Sequence, residues 1–383
     1  MDETLREYHE YANLFPIMQG DDFDVLKEDI LSNGLIDPIW LCDEKIIDGR
    51  NRHMACLETN TPLKFRIYEG NDPLGFVIST NLHRRHLNET QRAGVAAKIA
   101  NMERGNFSKS ANLQDSPVSI PQAAEMLNVG ERTVATYKAV AAAAPEFVEK
   151  MDSGEMTAHA AQKEVKKKMR DEERDKIANA GASVPVSDRW NIYHGDINDI
   201  ALDKQYDFII TDPPYPREYL PLYEVLSMRA NEWLKPEGLL IAMCGQSYLN
   251  EIYELMESHM NYYWTACYLT PGQATSLWQK QINTNWKPLL IYSKEKYNGK
   301  TFGDVFKSDD NEKDYHKWGQ SVSGMLSIIK QICLPGQSIL DPFCGAGTTG
   351  IAALQHGCLF DGIDIEIDNV NISKKRIDDT TTA

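Results

Sequence analysis

The chain has 383 residues, enough for two or three domains that each bury a core of their own. Its hydrophobic fraction of 42% and charged fraction of 25% are those of a globular protein, and no apolar run approaches the ~20 residues that a membrane helix needs. A net charge of −16 counts against tight nonspecific binding to a polyanion, although a local basic face can still meet one.

In chain order, Asp22 to Gly34 reads as a helix stopped by glycine. Ile36 to Leu41 reads as a strand, with Glu44 to Ile47 as its hairpin mate. Asp48-Gly49-Arg50-Asn51-Arg52 then opens a helix with two arginines in its first turn, where free backbone donors and guanidinium groups suit an anion. Thr80 to Leu87 is a second basic cluster, followed by a helix from Asn88 to about Glu103.

A polar linker, Ser108 to Ser116, leads into Val118 to Lys138. There Ala124, Leu127, Val129, Val134 and Tyr137 fit two short helices joined by a tight turn, a helix-turn-helix pattern. Its second helix, about Glu131 to Val140, offers Arg132, Thr133, Thr136 and Lys138 to a major groove. An αα-hairpin that only packs is the alternative. A helix from Ala144, a turn over Met151 to Thr157 and a helix from Ala158 to Met169 follow. Lys163 to Lys176 mixes charges densely and reads as a solvated linker helix, and Ala180 to Pro185 as a boundary.

The segment from about residue 10 to 170 resembles the N-terminal part of ParB-type proteins, through Gly34-Leu35-Ile36-Asp37-Pro38-Ile39, Gly49-Arg50-Asn51-Arg52 and Thr80-Asn81-Leu82-His83-Arg84. In that family the two latter boxes hold nucleotide phosphates, usually of CTP. The resemblance makes Gly49, Arg50, Arg52, Asn81 and Arg84 candidates for phosphate contact, although this chain lacks the glutamate of each box. A basic rim against DNA phosphates is the other reading, and a homodimer through this half is the expected assembly.

From residue 186 onward, strand and helix signals alternate, as a doubly wound α/β sheet requires. Arg189 to Ile197 is a strand ending in Gly195-Asp196, and Gln205 to Thr211 is an apolar, β-branched strand. The latter stops in Asp212-Pro213-Pro214-Tyr215, where two prolines with fixed φ and no donors end the ladder and hold an acid and a ring rigidly. Further elements are a helix near Tyr219 to Leu234, a strand Leu239 to Cys244, a helix Tyr248 to Met260, and strands Tyr262 to Leu269 and Pro288 to Ser293. Asn298 to Lys317 has no periodicity. Gln337 to Gly350 is a strand, a glycine turn and a helix from about Thr348 to His356, and Leu359 to Asp364 is a strand that ends in an acid suited to a ribose diol.

Asp341-Pro342-Phe343-Cys344-Gly345-Ala346-Gly347-Thr348-Thr349, the later Gly362-Ile363-Asp364 and the earlier Asp-Pro-Pro-Tyr resemble the permuted DNA amino-methyltransferases, in which the catalytic motif precedes the cofactor motif. The likeness covers residues 189 to about 377. It implies a Rossmann-like doubly wound methyltransferase sheet at 186–383, preceded by a small α+β ParB/sulfiredoxin-like domain at 1–107 and a helix-turn-helix with linker helices at 108–180. It also implies S-adenosyl-L-methionine as cofactor, with Asp341, Phe343, Gly345, Gly347 and Thr348 around its methionine part, Asp364 at its ribose, and Asp196 with Ile197 at its adenine. Ser321 to Cys333 takes the place of the family's helix before the glycine loop, without the usual Lys-Pro at Gln320-Ser321.

By the same resemblance Asp212 and the Pro213 carbonyl accept the hydrogens of an exocyclic amine, Pro214 stiffens the turn, and Tyr215 receives a flipped base face-on. Asp at the first position points to adenine-N6 ahead of cytosine-N4. The competing reading is a DNA-binding regulatory protein with a vestigial methyltransferase half. DNA is the expected partner, with no membrane. Seven scattered cysteines without a CxxC pair argue for reduced thiols in a cytoplasmic compartment and against a disulfide frame or zinc cluster, so no metal is expected. The acidic N-terminus carries no signal-peptide pattern.

Overall fold

The computed structural model describes residues 6–84, 87–101, 118–185, 187–269, 275–308 and 321–382. Two compact units are present, Met1–Lys168 and Met169–Ala383. The linker expected at Ser108 to Ser116 lies outside the described residues.

The first unit begins with helix α1 (Asp21–Asn33), strands β1 (Ile39–Cys42) and β2 (Lys45–Asp48), helix α2 (Arg50–Thr59), strand β3 (Phe65–Ile67) and helix α3 (Pro73–Arg84). The strands form a small sheet in the order β2-β1-β3, antiparallel then parallel. Helix α3 was not foreseen: Thr80 to Arg84 is its last turn, where the sequence showed only a basic cluster. Then come α4 (Glu89–Ile99), α5 (Ile120–Met126), α6 (Glu131–Ala143), α7 (Val148–Ser153) and α8 (Ala158–Gly181). Asn88 and Gln91 cap α4 reciprocally, and Ser119 and Gln122 cap α5 in the same way, so both starts were written locally.

The division expected near residue 107 is not a break in packing. One apolar core runs from Leu14 and Ile47 through Val77, Val95 and Ile99 to Leu127, Val134, Val140 and Ala161. Asp152 ties it together by accepting from Tyr137 Oη at 2.7 Å and Lys98 Nζ at 2.8 Å, and Gln91 donates to its carbonyl. The second unit likewise begins earlier than residue 186. The end of α8 packs Ala178 against Ala346 and Ile372, and Arg174 donates to Asn369 at 2.6 Å.

The second unit carries β4 (Trp190–His194), β5 (Tyr206–Thr211), α9 (Pro221–Trp233), β6 (Leu234–Met243), α10 (Leu249–Glu257), β7 (Asn261–Leu269), β8 (Thr275–Leu277), β9 (Ile282–Thr284), β10 (Trp286–Ser293), β11 (Val305–Lys307), α11 (Val322–Ile332), β12 (Ser338–Asp341), α12 (Thr348–Gln355), β13 (Leu359–Asp364) and α13 (Ile367–Thr382). Eight strands form one sheet in the order β11-β7-β10-β6-β5-β12-β13-β4. The run β6-β5-β12-β13-β4 is parallel, and β10 is antiparallel to both β6 and β7. This is the Rossmann-like doubly wound sheet.

Burial alternates along the strands. Leu239, Ile241 and Met243 join one core with Ile328, Ile351 and Val370 of α11 to α13. Leu240, Ala242 and Cys244 join the other with Leu226, Ala230 and Ile252 of α9 and α10. Both faces are therefore covered, which is why these strands read as continuous apolar runs. From β5 the chain crosses by α9 to β6 on one side, and from β12 by α12 to β13 on the other. The crevice at the carboxyl ends of β5 and β12 is thus the topological switch point, where doubly wound sheets bind ligands. The supposedly featureless Asn298 to Lys317 contains β11, and its residues 309–317 lie outside the described ones. The hairpin β8–β9 was also missed, since its strands are only three residues long. No helix among the described residues is long and apolar enough to cross a membrane.

Candidate active site

Asp212 to Tyr215 leaves the end of β5, and Asp341 to Thr349 leaves the end of its neighbour β12. The two segments are joined directly. Thr211 Oγ1 donates to Asp341 Oδ1 at 2.6 Å, Phe343 N to the same oxygen at 3.1 Å, and Thr349 Oγ1 to Asp341 Oδ2 at 2.6 Å. Asp341 is 2% exposed, and burial pushes its carboxyl up to about 6, against the pull of its three donors; the charge of Asp212 adds to the rise. The last residue of one strand and the first turn of a helix thereby fix one carboxylate between the two motifs. Thr211 and Thr349 were not singled out from the sequence, where a threonine at a strand end carries no distinguishing signal.

Around Asp212 the structure gathers protic groups. The Tyr215 hydroxyl donates to Asp212 Oδ1. Burial first, then the Asp212 charge, raises the Tyr215 phenol well above its ordinary value. Cys244, at the end of β6, is pushed up to about 12 by burial and by Asp212. Burial, Cys244 and Asp212 also raise the Tyr223 phenol, whose hydroxyl meets no hydrogen-bond partner among the described residues. Cys244 and Tyr223 could not be placed from sequence, because the register that sets Thr211 opposite Ala242 is not written in either strand. Tyr215 makes two contacts of its own. Its hydroxyl is committed to Asp212, and the Lys287 ammonium stands 5.2 Å over its ring. A charged side chain, rather than open space, meets the ring expected to lie against a base.

The glycine loop has the form a bound ligand needs. Gly345 has φ +53° and open space where a Cβ would be. Gly347, the N-cap of α12, has φ +77°, and a Cβ there would stand 3.0 Å from Ser373. Ser373 Oγ and Arg376 Nη1 hold the loop carbonyls of Gly345 and Ala346 at 2.7 and 2.6 Å. Phe343 is half-buried, and Thr348 Oγ1 accepts from Arg376 at 3.4 Å.

Asp364 has a structural task at the end of β13. Oδ2 accepts from Gly345 N at 2.9 Å, and Oδ1 accepts from Glu366 N and Asn369 Nδ2, each at 2.9 Å. It therefore anchors the glycine loop, with a lone pair still available on Oδ2. Asp196 and Ile197 follow β4, the next strand, and Gly195 N donates to Asp364 O at 3.0 Å. Asp196 Oδ1 accepts from Asn198 N and Nδ2, and Ile197 is buried. The catalytic and cofactor residues expected from the sequence thus converge on the carboxyl ends of four neighbouring parallel strands.

The first unit separates into two cases. Helix α5, a turn with Asn128 at φ +48° and helix α6 occupy the stretch where a helix-turn-helix is expected. Arg132 is exposed, Thr136 and Lys138 are half-buried, and Thr133 Oγ1 donates to Glu89 at 2.8 Å. Three of the four expected DNA contacts are reachable, and the fourth is partnered by an acid. The phosphate boxes fare differently. Arg50 donates to Asn13 Oδ1 and Phe15 O at 2.6 and 2.8 Å, Arg52 pairs with Asp48 at 2.8 Å, and Asn81 donates to Asp48 Oδ1 at 3.1 Å. Gly49, at φ +96°, turns the chain into α2 under the Arg52 side chain. These groups meet protein acceptors in the structure. Arg84 ends α3, and its side chain lies outside the described residues. Sequence spacing also gave no sign that His9, Cys42 and Asp43 bring their ligand atoms within 4.8 Å of one another.

The comparisons with known proteins concern the second unit. A family model described as DNA methylase, covering N6 and N4 methyltransferases, matches residues 206–375. The chain is 34% identical over 119 residues to the type II methyltransferase M2.DpnII of Streptococcus pneumoniae, which is 29% of this chain and 44% of that protein. It is 32% identical over 123 residues to the type II methyltransferase M2.LlaDCHI of Lactococcus lactis subsp. cremoris, 30% of this chain and 45% of that one. The chain therefore spans less than half the length of these curated relatives. The solved complex of M1.HpyAVI with SAM covers 49% of this chain and 98% of its own, at 25% identity and a TM-score of 0.43. Residues 206–375 are thus similar to the N6/N4 DNA methylases.

Proposed function

We propose that the protein transfers a methyl group from S-adenosyl-L-methionine to an exocyclic amine of DNA, with adenine-N6 favoured over cytosine-N4. The observation that carries this reading is the Thr211–Asp341 bond, which fixes Asp-Pro-Pro-Tyr beside the glycine loop at the sheet's switch point. The loop suits the cofactor: positive-φ glycines leave room for a close approach, and the carboxylates of Asp341 and Asp364 stand at the strand ends on either side. When bound, the cofactor supplies an electrophilic methyl on a sulfonium.

The chain's own groups do the rest by position and electrostatics. Asp212 and the Pro213 carbonyl accept the two amine hydrogens and pull the nitrogen lone pair out of ring conjugation. The Tyr215 hydroxyl holds the Asp212 carboxylate in place until the amine takes a share of it. Cys244 and Tyr223 lie near the Asp212 carboxylate, and both stay protonated at neutral pH. The helix-turn-helix of the first unit, with Arg132 exposed, supports a DNA-docking, ParB-like role for that half.

The test is incubation with labelled S-adenosyl-L-methionine and unmethylated genomic DNA, followed by nucleoside analysis. Label in N6-methyladenine supports the favoured reading and label in N4-methylcytosine the second. Label in neither, from protein that binds the cofactor, rejects both.

A further inference from the structure

The hairpin β8–β9 stands on the same side of the sheet as the candidate site. It connects the end of β7 to the start of β10, and β10 enters the sheet with Leu289 opposite Met243, at the carboxyl end of β6. The hairpin and the strand it leads into both touch the site: Lys280 Nζ in the hairpin turn donates to Ser247 O at 3.4 Å, just past β6, and Lys287 of β10 covers the Tyr215 ring at 5.2 Å. At its tip, between the paired Leu277 and Ile282, Trp278 is 86% exposed. An indole so bare on a small hairpin contributes nothing to a core, and its position calls for a partner.

The local charge says which partner. The chain carries 56 acidic residues, yet none occurs between Glu257 and Glu295, while Lys280, Lys287 and Lys294 all fall in that stretch. A polyanion meets three lysines and no carboxylate from this stretch, on a chain whose net charge is −16.

Resting on the DNA-methyltransferase reading, we propose that this hairpin docks the duplex at the site, with Trp278 entering the base stack beside the nucleotide that reaches Asp212 to Tyr215. A base that leaves the stack leaves a gap and costs unstacking energy, and a flat apolar ring in the gap recovers part of it. Lys280 then lies beside a phosphate.

Genomic DNA in native and heat-denatured form separates this role from a structural one, because denatured DNA needs no wedge. Labelled methyl incorporation is measured on both forms for the wild type, Trp278→Ala and Trp278→Phe. Trp278→Ala should lose about 10-fold or more on native DNA. On denatured DNA it should stay within about 2-fold of wild type, and Trp278→Phe should regain most of the native rate. An unchanged native-to-denatured ratio overturns the proposal, as does an unchanged ratio with an altered oligomeric state, which makes the hairpin a protein contact. Should the wild type label neither form, the methyltransferase reading fails separately. The hairpin then stands only if Trp278→Ala and Lys280→Gln each weaken binding to a mixed-sequence duplex, and unchanged affinity rejects it.

Discussion

Asp341→Asn tests how the two motifs are held together. In the folded protein the carboxyl is pushed up to about 6 by burial, against an ordinary value of 3.8. Because the folded value is the higher one, the native state binds more protons than the unfolded chain between pH ~4 and ~6, so stability falls as pH rises through that window. A rise of about two units corresponds to ~3 kcal/mol lost by pH 7.5 relative to a pH well below 3.8. Asparagine has the same shape and cannot ionise. Its carbonyl oxygen can take the Thr211 and Phe343 donors, and Thr349 can rotate its hydroxyl to accept from the amide.

Urea unfolding followed by tryptophan fluorescence suits the measurement, since Trp190 and Trp233 are buried in the second unit. The wild-type minus variant difference should move by ~2 kcal/mol between pH 4.5 and 7.5, with the variant the more stable at the higher pH. Parallel pH profiles for the two proteins would refute the reasoning, because Asp341 would then carry no ionisation penalty.

Other expectations follow from the same contacts. Asp48→Ala removes the more buried of Arg52's two carboxylate partners, Asp37 being the other, and should cost the first unit ~3 kcal/mol in chemical denaturation, while Asp48→Ala with Arg52→Met recovers much of it. Cys244, raised to about 12, should resist thiol reagents at pH 8 in the native protein and react only on unfolding, as read by mass spectrometry. Arg132→Ala should weaken duplex binding and lower the slope of log affinity against log salt by about one if the residue meets a phosphate.

Much of the second unit was legible because its strands are buried on both faces and its turns use residues with single purposes. Two prolines can only end a strand, and two glycines at positive φ open the loop. Asp212, Asp341 and Asp364 could be placed at strand ends from the chain alone. Their wiring could not. That Asp341 is gripped by Thr211 and Thr349, that Asp364 spends its oxygens on Gly345 and Asn369, and that Cys244 and Tyr223 face Asp212 all depend on register between strands distant in the chain. The arginines of the first unit likewise have partners that the fold supplies. Gly49-Arg50-Asn51-Arg52 reads as an anion site by composition, yet Asp48, two peptide bonds before Arg50, neutralises Arg52 in the fold. The hairpin with Trp278 was overlooked because its strands are too short to show a period.

Asp212→Asn tests the central claim most directly. Asn keeps the shape of the turn and the contact with Tyr215 but loses the charge that accepts the amine hydrogens. Cofactor binding by calorimetry and single-turnover methyl transfer to DNA are measured on the same preparation. The account predicts unchanged cofactor affinity and a transfer rate reduced by about 100-fold or more. Transfer at the wild-type rate by Asp212→Asn contradicts it.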